Sequence, residues 1–162
     1  MTEYVSEINY DKLIEKSLKR VVIEALKIAE VQGLPGENHF YITFKTNHPG
    51  TSIPRDLKIQ YPESMTIVLQ HQYENLNVKD DCFSVDLSFG GRIQTLVIPF
   101  DSITYFADPH AKFGLSFSFY ENGDAHSLDD IEPEKKVAGE TAQIISFDTF
   151  RKKKKWKNFP YV

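Results

Sequence analysis

The chain has 162 residues, of which 41% are hydrophobic and 13% aromatic, enough for one domain with one hydrophobic core. Its formal net charge of -4 opposes nonspecific binding to nucleic acid. The single cysteine, Cys82, excludes an internal disulfide and a cysteine-rich metal site, and it fits a reducing compartment. The first residues lack the basic start and apolar run of a signal peptide, and no apolar run approaches membrane-spanning length. These features predict a soluble cytoplasmic protein that does not enter membranes.

A long amphipathic helix is predicted near the start of the chain. Asn9 is a suitable N-cap and Asp11 lies in the first turn, while Gly33, followed by Pro35 and Gly36, ends the helix. The apolar residues between these ends recur at helical spacing in a wide stripe. Either the helix contacts both its own sheet and a second copy of the chain, or it packs entirely against its own domain. The residues predicted for a homodimer contact are Leu18, Val21, Val22 and Ala25.

The middle of the chain predicts a small β module. Segments of alternating or β-branched residues separated by turn residues predict short strands, and Asp101 or Ser102 could begin a short helical turn that runs to Phe106. Residues 75–77 are predicted as a loop. The predicted strands are residues 40–46, 65–72, 83–89 and 93–99, and Leu115, Phe117 and Phe119 are predicted to close the domain. The expected fold class is mainly β with an N-terminal helix (α+β), built as a small barrel or sandwich.

The residue types that catalyse reactions or bind metals are present, but their spacing in the sequence matches no catalytic or metal-binding motif. The histidines have no second ligand at metal-binding spacing, and the pair Gly90-Gly91 lacks the context of a phosphate-binding loop. Cys82 follows Asp80 and Asp81, whose charges disfavour a thiolate. The sequence therefore predicts no enzyme, no metal and no cofactor. The histidines are His39, His48, His71, His110 and His126.

The end of the chain predicts a flexible tail with a docking segment. Residues 121–142 are acidic and contain Gly and Pro, a composition typical of a flexible linker. Residues 143–162 place apolar side chains beside a basic cluster, which indicates a docking peptide. The domain itself is predicted over residues 1–120. The residues predicted to dock are Ile144, Ile145, Phe147, Phe150, Arg151, Lys152 and Lys153.

Several segments together resemble the SspB adaptors of alphaproteobacterial type. The segments are the Leu-Pro-Gly and His-Phe-Tyr-Ile-Thr-Phe of residues 34–44, Tyr-Pro-Glu-Ser-Met-Thr-Ile-Val-Leu-Gln-His-Gln at 61–72, Leu-Ser-Phe-Gly-Gly at 87–91, Val-Ile-Pro-Phe at 97–100, and Ile-Ser-Phe-Asp-Thr-Phe-Arg-Lys-Lys at 145–153. The resemblance implies an Sm-like (SH3-like) β structure with a helical dimer interface. It also implies a dimeric factor that binds the ssrA tag, which transfer-messenger RNA adds to stalled proteins. Such factors tether the tagged proteins to ClpX of the ClpXP protease.

The chain departs from this pattern after Lys153. Members of this type tend to end at the Phe-Arg-Lys-Lys, whereas here Lys154, Lys155 and Trp156 follow and the sequence runs on to Val162. The departure leaves open whether the docking segment must be terminal. The extension is either a frayed end or a second contact, for the protease or for RNA. Lys with Trp and Phe is also a composition typical of nucleic-acid-binding tails.

A groove that accepts an extended peptide is predicted from two segments. Phe89-Gly90-Gly91 would form a wall, because glycine lets a peptide backbone approach closely, with Leu87 as an apolar floor and Ser88 as a hydroxyl donor. Val68, Gln70 and Gln72 are predicted on one strand face, where the primary amides match peptide groups. The alternative is that Leu87 and Phe89 belong to the core and the glutamines only to the surface. Two alternative functions remain open for the chain. It could be an RNA-binding Sm-like module or an enzyme with an unrecognised site.

Overall fold

The computed structural model describes residues 7–117 and the backbone of residues 143–146. Helix α1, Tyr10–Gln32, begins and ends where the sequence predicts. The Asn9 side chain accepts a hydrogen bond from the Lys12 N–H at 3.0 Å, as an N-cap does. The Gly33 N–H donates to the Ala29 carbonyl at 3.0 Å, and Gly33 has φ +76°, a conformation that favours glycine. The predicted helix is therefore confirmed at both ends.

The remaining elements of the described residues are a short helix, a 3₁₀ turn and eight strands. They are β1 Phe40–Lys45, α2 Arg55–Gln60, β2 Ser64–Leu69, β3 Glu74–Val78, β4 Cys82–Phe89, β5 Arg92–Pro99, a 3₁₀ turn Phe100–Ser102, β6 Ile103–Asp108, β7 Phe113–Ser116 and β8 Gln143–Ser146.

These strands form two sheets. The larger sheet has the order β2-β1-β6-β7-β8 and the smaller one the order β3-β4-β5. All neighbouring strands are antiparallel except β7 and β8, which are parallel. The predicted fold class, mainly β with an N-terminal helix, is confirmed, and two separate sheets correspond to the sandwich alternative. None of the described helices is long and apolar enough to cross a membrane.

One hydrophobic core lies between the sheets and α1. Alternate residues of β1, β2 and β4 are buried, as the period of two in a strand requires. Burying each large apolar side chain contributes about 1.5–3 kcal/mol, so this alternation is the main source of the fold's stability. The buried side chains that these elements contribute are Val22, Ile23, Leu26 and Ala29 from α1, Phe40, Ile42 and Phe44 from β1, Met65, Ile67 and Leu69 from β2, and Phe83, Val85 and Leu87 from β4.

The structure corrects four of the predicted elements. Strand β2 ends at Leu69 rather than at residue 72, so the glutamines after it lie in a loop. Residues 75–77, predicted as a loop, belong to β3. The helical turn predicted up to Phe106 is limited to the 3₁₀ turn, and β6 follows at once. Pairing with β1 and β7 on both sides stabilises β6, which overrides the local capping signal. The connection between β1 and β2, expected to be irregular, contains α2.

The first residues of the predicted tail also form a strand. Gln143–Ser146 pair with β7, with Phe113 opposite Gln143 and Ser116 opposite Ser146. The isoleucine pair in this segment has high β propensity, and the edge of β7 supplies unpaired backbone groups. The predicted linker of residues 121–142 and the predicted docking residues Phe147, Phe150, Arg151, Lys152 and Lys153 lie outside the described residues.

Candidate functional site

Among the strands that the structure describes, β2 lies at the edge of the larger sheet and has β1 as its one neighbour. The Thr46 N–H donates to the Glu63 carbonyl at 2.9 Å, which makes these two residues a hydrogen-bonded antiparallel pair. Because such pairs alternate along a ladder, every second residue of β2 bonds β1 through its backbone. Ser64, Thr66 and Val68 therefore direct their N–H and C=O groups away from β1. An edge of this kind can accept a further strand.

The face of the sheet beside this edge carries hydroxyl and aromatic side chains. Val68 lies opposite Tyr41, and Thr66 opposite Thr43, with the two threonine hydroxyls hydrogen-bonded at 2.8 Å. The ring of His39 packs edge-on against that of Tyr41, with 5.5 Å between centroids. A chain added to the edge would thus lie next to a surface of hydroxyls and aromatic rings, which can contact both polar and apolar side chains.

A depression of about 470 Å³ opens where β2 ends. The C-terminal end of α1 forms one wall and the loop from β2 to β3 forms the other. The residues around it are Ala29, Glu30, Gly33, Leu34, Gln70, His71, Tyr73, Asn75 and Leu76. Gln70, the residue that follows the last residue of β2, lines this depression, so the outward-facing backbone of β2 and the depression together are the candidate site for an extended peptide.

Two hydrogen bonds hold the walls of this depression together. The Tyr73 hydroxyl donates to the Ala29 carbonyl at 3.2 Å, and the Val78 N–H donates to the Glu30 carboxylate at 2.9 Å. Burial raises the pKa of Tyr73, although a backbone hydrogen bond at Leu34 lowers it in part. The tyrosine therefore stays protonated at neutral pH and keeps its role as a donor.

Of the predicted groove residues on the β2 side, the structure brings Val68 and Gln70 to this site. Val68 is half-buried on the outer face of β2, and Gln70 is half-buried at the depression. Gln72 is exposed, and its side-chain oxygen accepts a hydrogen bond from the His71 N–H at 3.2 Å. Gln70 and Gln72 do not share a strand face with Val68, because β2 ends before them.

The predicted groove residues on the β4 side lie at the hairpin between β4 and β5. Leu87 is 5% exposed and belongs to the core, and Phe89 is half-buried and packs against the core. Ser88 is exposed. Gly90 and Gly91, at φ +56° and +79°, form the exposed turn, where only glycine is unstrained. For Leu87 and Phe89 the structure therefore favours the core alternative.

Sequence reasoning missed Thr66, Tyr41 and Tyr73 as site residues. The first two occupy exposed or half-buried positions that alternate with core residues on β1 and β2, so the period of two contains the signal that would have found them. Tyr73 has no such signal, because its role depends on contact with the end of α1.

The chain was compared with known proteins. The family model described as SspB, Stringent starvation protein B, matches residues 12–157. The chain belongs to the SspB family. No curated protein matches it. The general role of the SspB family is that of an adaptor for the ClpXP protease, not that of an enzyme.

The long helix of this SspB chain exposes only part of the set of residues predicted for a dimer contact, together with other apolar residues. Val22 is 1% exposed and lies in the core, and Leu18 and Ala25 are half-buried against the core. Val21 is exposed. The wide apolar stripe therefore divides into a buried face and an exposed face. The exposed apolar residues of α1 are Tyr10, Leu13, Val21, Ile28 and Val31.

Polar contacts link all three strands of the smaller sheet in this SspB domain. Asp86 on β4 accepts hydrogen bonds from Asn75 on β3 at 2.8 Å and from Thr95 on β5 at 2.6 Å. The hydrogen bond from Asn75, which has the larger effect, and the one from Thr95 both lower the pKa of Asp86. The contacts connect β3, whose Asn75 lines the depression, to β4 and β5.

The thiol of Cys82 is not prepared for nucleophilic chemistry. Burial raises its pKa, and a hydrogen bond with Asp81 and the charge of that residue raise it further. The thiolate, which is the reactive form, is thus disfavoured, as the sequence predicted. Within the described residues, no three side chains of the His, Cys, Asp or Glu type come together in a way that could hold a metal ion.

Proposed function

We propose that this SspB chain binds the transfer-messenger RNA-encoded tag of stalled proteins and delivers those proteins to ClpXP in the cytoplasm. The observation that carries the proposal is the open edge of β2, which leads into the depression at Gln70. An unfolded tag offers backbone groups along its whole length. A free edge can pair with those groups while a neighbouring pocket selects side chains.

The domain and the tail would then have different tasks. The domain holds the tag, and the apolar and basic residues of the tail bind ClpX. Tethering raises the effective concentration of a substrate at the protease, to roughly millimolar for a short flexible linker. A weak contact between tail and ClpX is therefore sufficient for delivery.

Replacing Thr66 by proline tests the open edge. Thr66→Pro removes an N–H that points away from β1, so no backbone hydrogen bond of the sheet is lost. A paired tag, however, would lose that N–H as a partner and would clash with the proline ring. One net hydrogen bond is worth about 0.5–1.5 kcal/mol, and with the steric clash we expect tag affinity to fall at least about tenfold. Fluorescence anisotropy of a labelled tag peptide measures this change.

Thr66→Val is the matched control, because it removes the hydroxyl but keeps the N–H. We expect the control to bind the tag with nearly wild-type affinity. Equal affinities of the proline and valine variants, both folded by circular dichroism, would rule out pairing along β2. A labelled single-stranded RNA in the same titration tests the RNA-binding alternative, for which binding would fall steeply as salt rises.

We further propose that the chain forms a homodimer through the exposed face of α1. Tyr10 is 66% exposed, Ile28 53% and Val31 85%. Ile28 follows Tyr10 by 18 residues, which is five turns of about 3.6 residues, and Val31 lies three residues after Ile28. All three are therefore on one side of the helix. Exposed apolar residues that line one side of a helix are typical of a protein interface. A dimer would carry two tails, and both could engage one protease.

The dimer predicts a specific effect of charge on this face. We expect the wild-type chain of 18.7 kDa to have about twice that mass by light scattering at micromolar concentration. Ile28→Glu should yield the monomer mass, because burying an unpaired carboxylate in an apolar interface is unfavourable. Ile59→Glu is the matched control, since Ile59 is 71% exposed on α2 rather than on α1, and it should leave the dimer intact. A monomer mass for the wild-type chain would refute the proposal.

A further inference from the structure

The pairing of β7 determines which of its backbone groups are free for a further strand. The Phe117 N–H donates to the Thr104 carbonyl at 2.8 Å, so these residues form a hydrogen-bonded pair of the antiparallel ladder between β6 and β7. Because such pairs alternate, Leu115 also bonds β6 through its backbone. Gly114 and Ser116 therefore direct their N–H and C=O groups away from β6, toward β8.

Strand β8 lies along these outward groups. Gly114 stands opposite Ile144 and Leu115 opposite Ile145 in a parallel register. In a parallel ladder, a residue whose N–H and C=O groups point toward the neighbouring strand does not bond the residue directly opposite. It bonds the two residues on either side of that one. The Ile145 N–H therefore faces the Gly114 carbonyl, and the Ile145 carbonyl faces the Ser116 N–H. The backbone groups of Ile144 point to the other side.

The geometry points to a tail that is held on the domain's own sheet and released when the tail is used. Gln143–Ser146 would be docked on β7 in the free adaptor, with Gly114 and Ser116 as the receiving groups. This inference rests on the proposed function, because residues 143–153 are the segment proposed to bind ClpX. ClpX would have to compete with β7 for the backbone of Ile145. The tail would therefore stay paired with β7 until ClpX binds it.

The connection between the two strands is long enough for this arrangement. A parallel pair needs a crossover of a dozen or more residues, and residues 118–142 supply that length. The sequence of the docked strand also fits, since two isoleucines favour an extended chain. No other proposed contact uses the β7 edge, because the tag is proposed to bind β2 at the opposite edge of the sheet.

Amide hydrogen exchange resolved by NMR tests the docked strand. We expect the Gly114 and Ser116 amides to be protected in the full chain and to exchange at least about tenfold faster in a chain truncated after Ala142. The Leu115 amide, which faces β6, should be protected equally in both. Ile145→Pro should act like the truncation, because it removes the N–H that faces Gly114, and Ile144→Pro, its matched control, should act like the full chain. Equal exchange of Gly114 and Ser116 in the full and truncated chains would overturn docking.

Addition of ClpX in excess to the full chain tests the release. We expect the Gly114 and Ser116 amides to exchange at the rate of the truncated chain once ClpX is bound. Persistent protection of these amides with ClpX bound, checked by co-sedimentation, would overturn the release while leaving the proposed function standing. Failure of ClpX to bind would overturn both the release and the proposed function, whereas the comparison of full and truncated chains would still decide whether the strand docks.

Discussion

Truncation after Ala142 is expected to abolish delivery of tagged proteins to ClpXP while tag affinity stays within about twofold of wild type. The truncation removes residues 143–162, which contain the apolar and basic docking residues. It leaves the open edge of β2 and the depression at Gln70 in place. Without a tether, the effective concentration of substrate at the protease falls from roughly millimolar to that in bulk solution. The rate of degradation of a tagged fluorescent protein, at a concentration below the KM of the protease, measures the loss.

A chain that ends at Lys153 is the matched control for this truncation. It keeps the segment similar to the tail of the SspB adaptors and lacks only the extension that begins at Lys154. Delivery at the wild-type rate would show that the extension is dispensable. A loss as large as that caused by truncation after Ala142 would place the docking function in the extension. Equal degradation with the full chain and the chain truncated after Ala142 would contradict the role of the tail altogether.

Leu87→Gln is expected to destabilise the domain strongly. Leu87 is 5% exposed on β4 and belongs to the core. The substitution loses about 1.5–3 kcal/mol of apolar burial and buries an amide without a partner, which costs about 1–3 kcal/mol. A loss of about 2.5–6 kcal/mol is a large part of the 5–15 kcal/mol typical of a domain. Thermal and urea denaturation measure this change in the free energy of unfolding.

Ser88→Gln at the adjacent, exposed position is the control for Leu87→Gln. Exposed substitutions of this kind change stability by within about 0.5 kcal/mol. Tag affinity of the Leu87 variant should fall only in proportion to the fraction unfolded. A Leu87 variant of normal stability that binds the tag weakly would show instead that Leu87 lines the groove, as the sequence first suggested.

The ends of α1 and the long strands could be predicted because the responsible signals are local. Asn9 caps the first turn with its own side chain, and Gly33 adopts the positive φ that ends the helix. Residues 83–89 alternate in polarity without a break, and β4 covers this segment. The match to the SspB family over residues 12–157 is likewise a property of sequence.

The elements that were missed depend on neighbours distant in the chain. Strand β6 has a capping signal before it, yet it is a strand because β1 and β7 pair with it on both sides. Strand β3 has weak alternation, and its outer backbone is held by Glu30 of α1. Local propensity is a weak predictor wherever such tertiary contacts compete with it.

The candidate site shows the same division between local and long-range information. Sequence alone predicted Val68 and Gln70 as groove residues, and it predicted α1 as a helix with more apolar residues than one buried face requires. It could not show that β2 is an edge, that Tyr73 closes a depression against Ala29, or that Val22 faces inward while Ile28 faces outward. The packing of the sheets and the helix determines which backbone groups remain unpaired and which side of the apolar stripe on α1 is buried. That packing joins residues far apart in the chain.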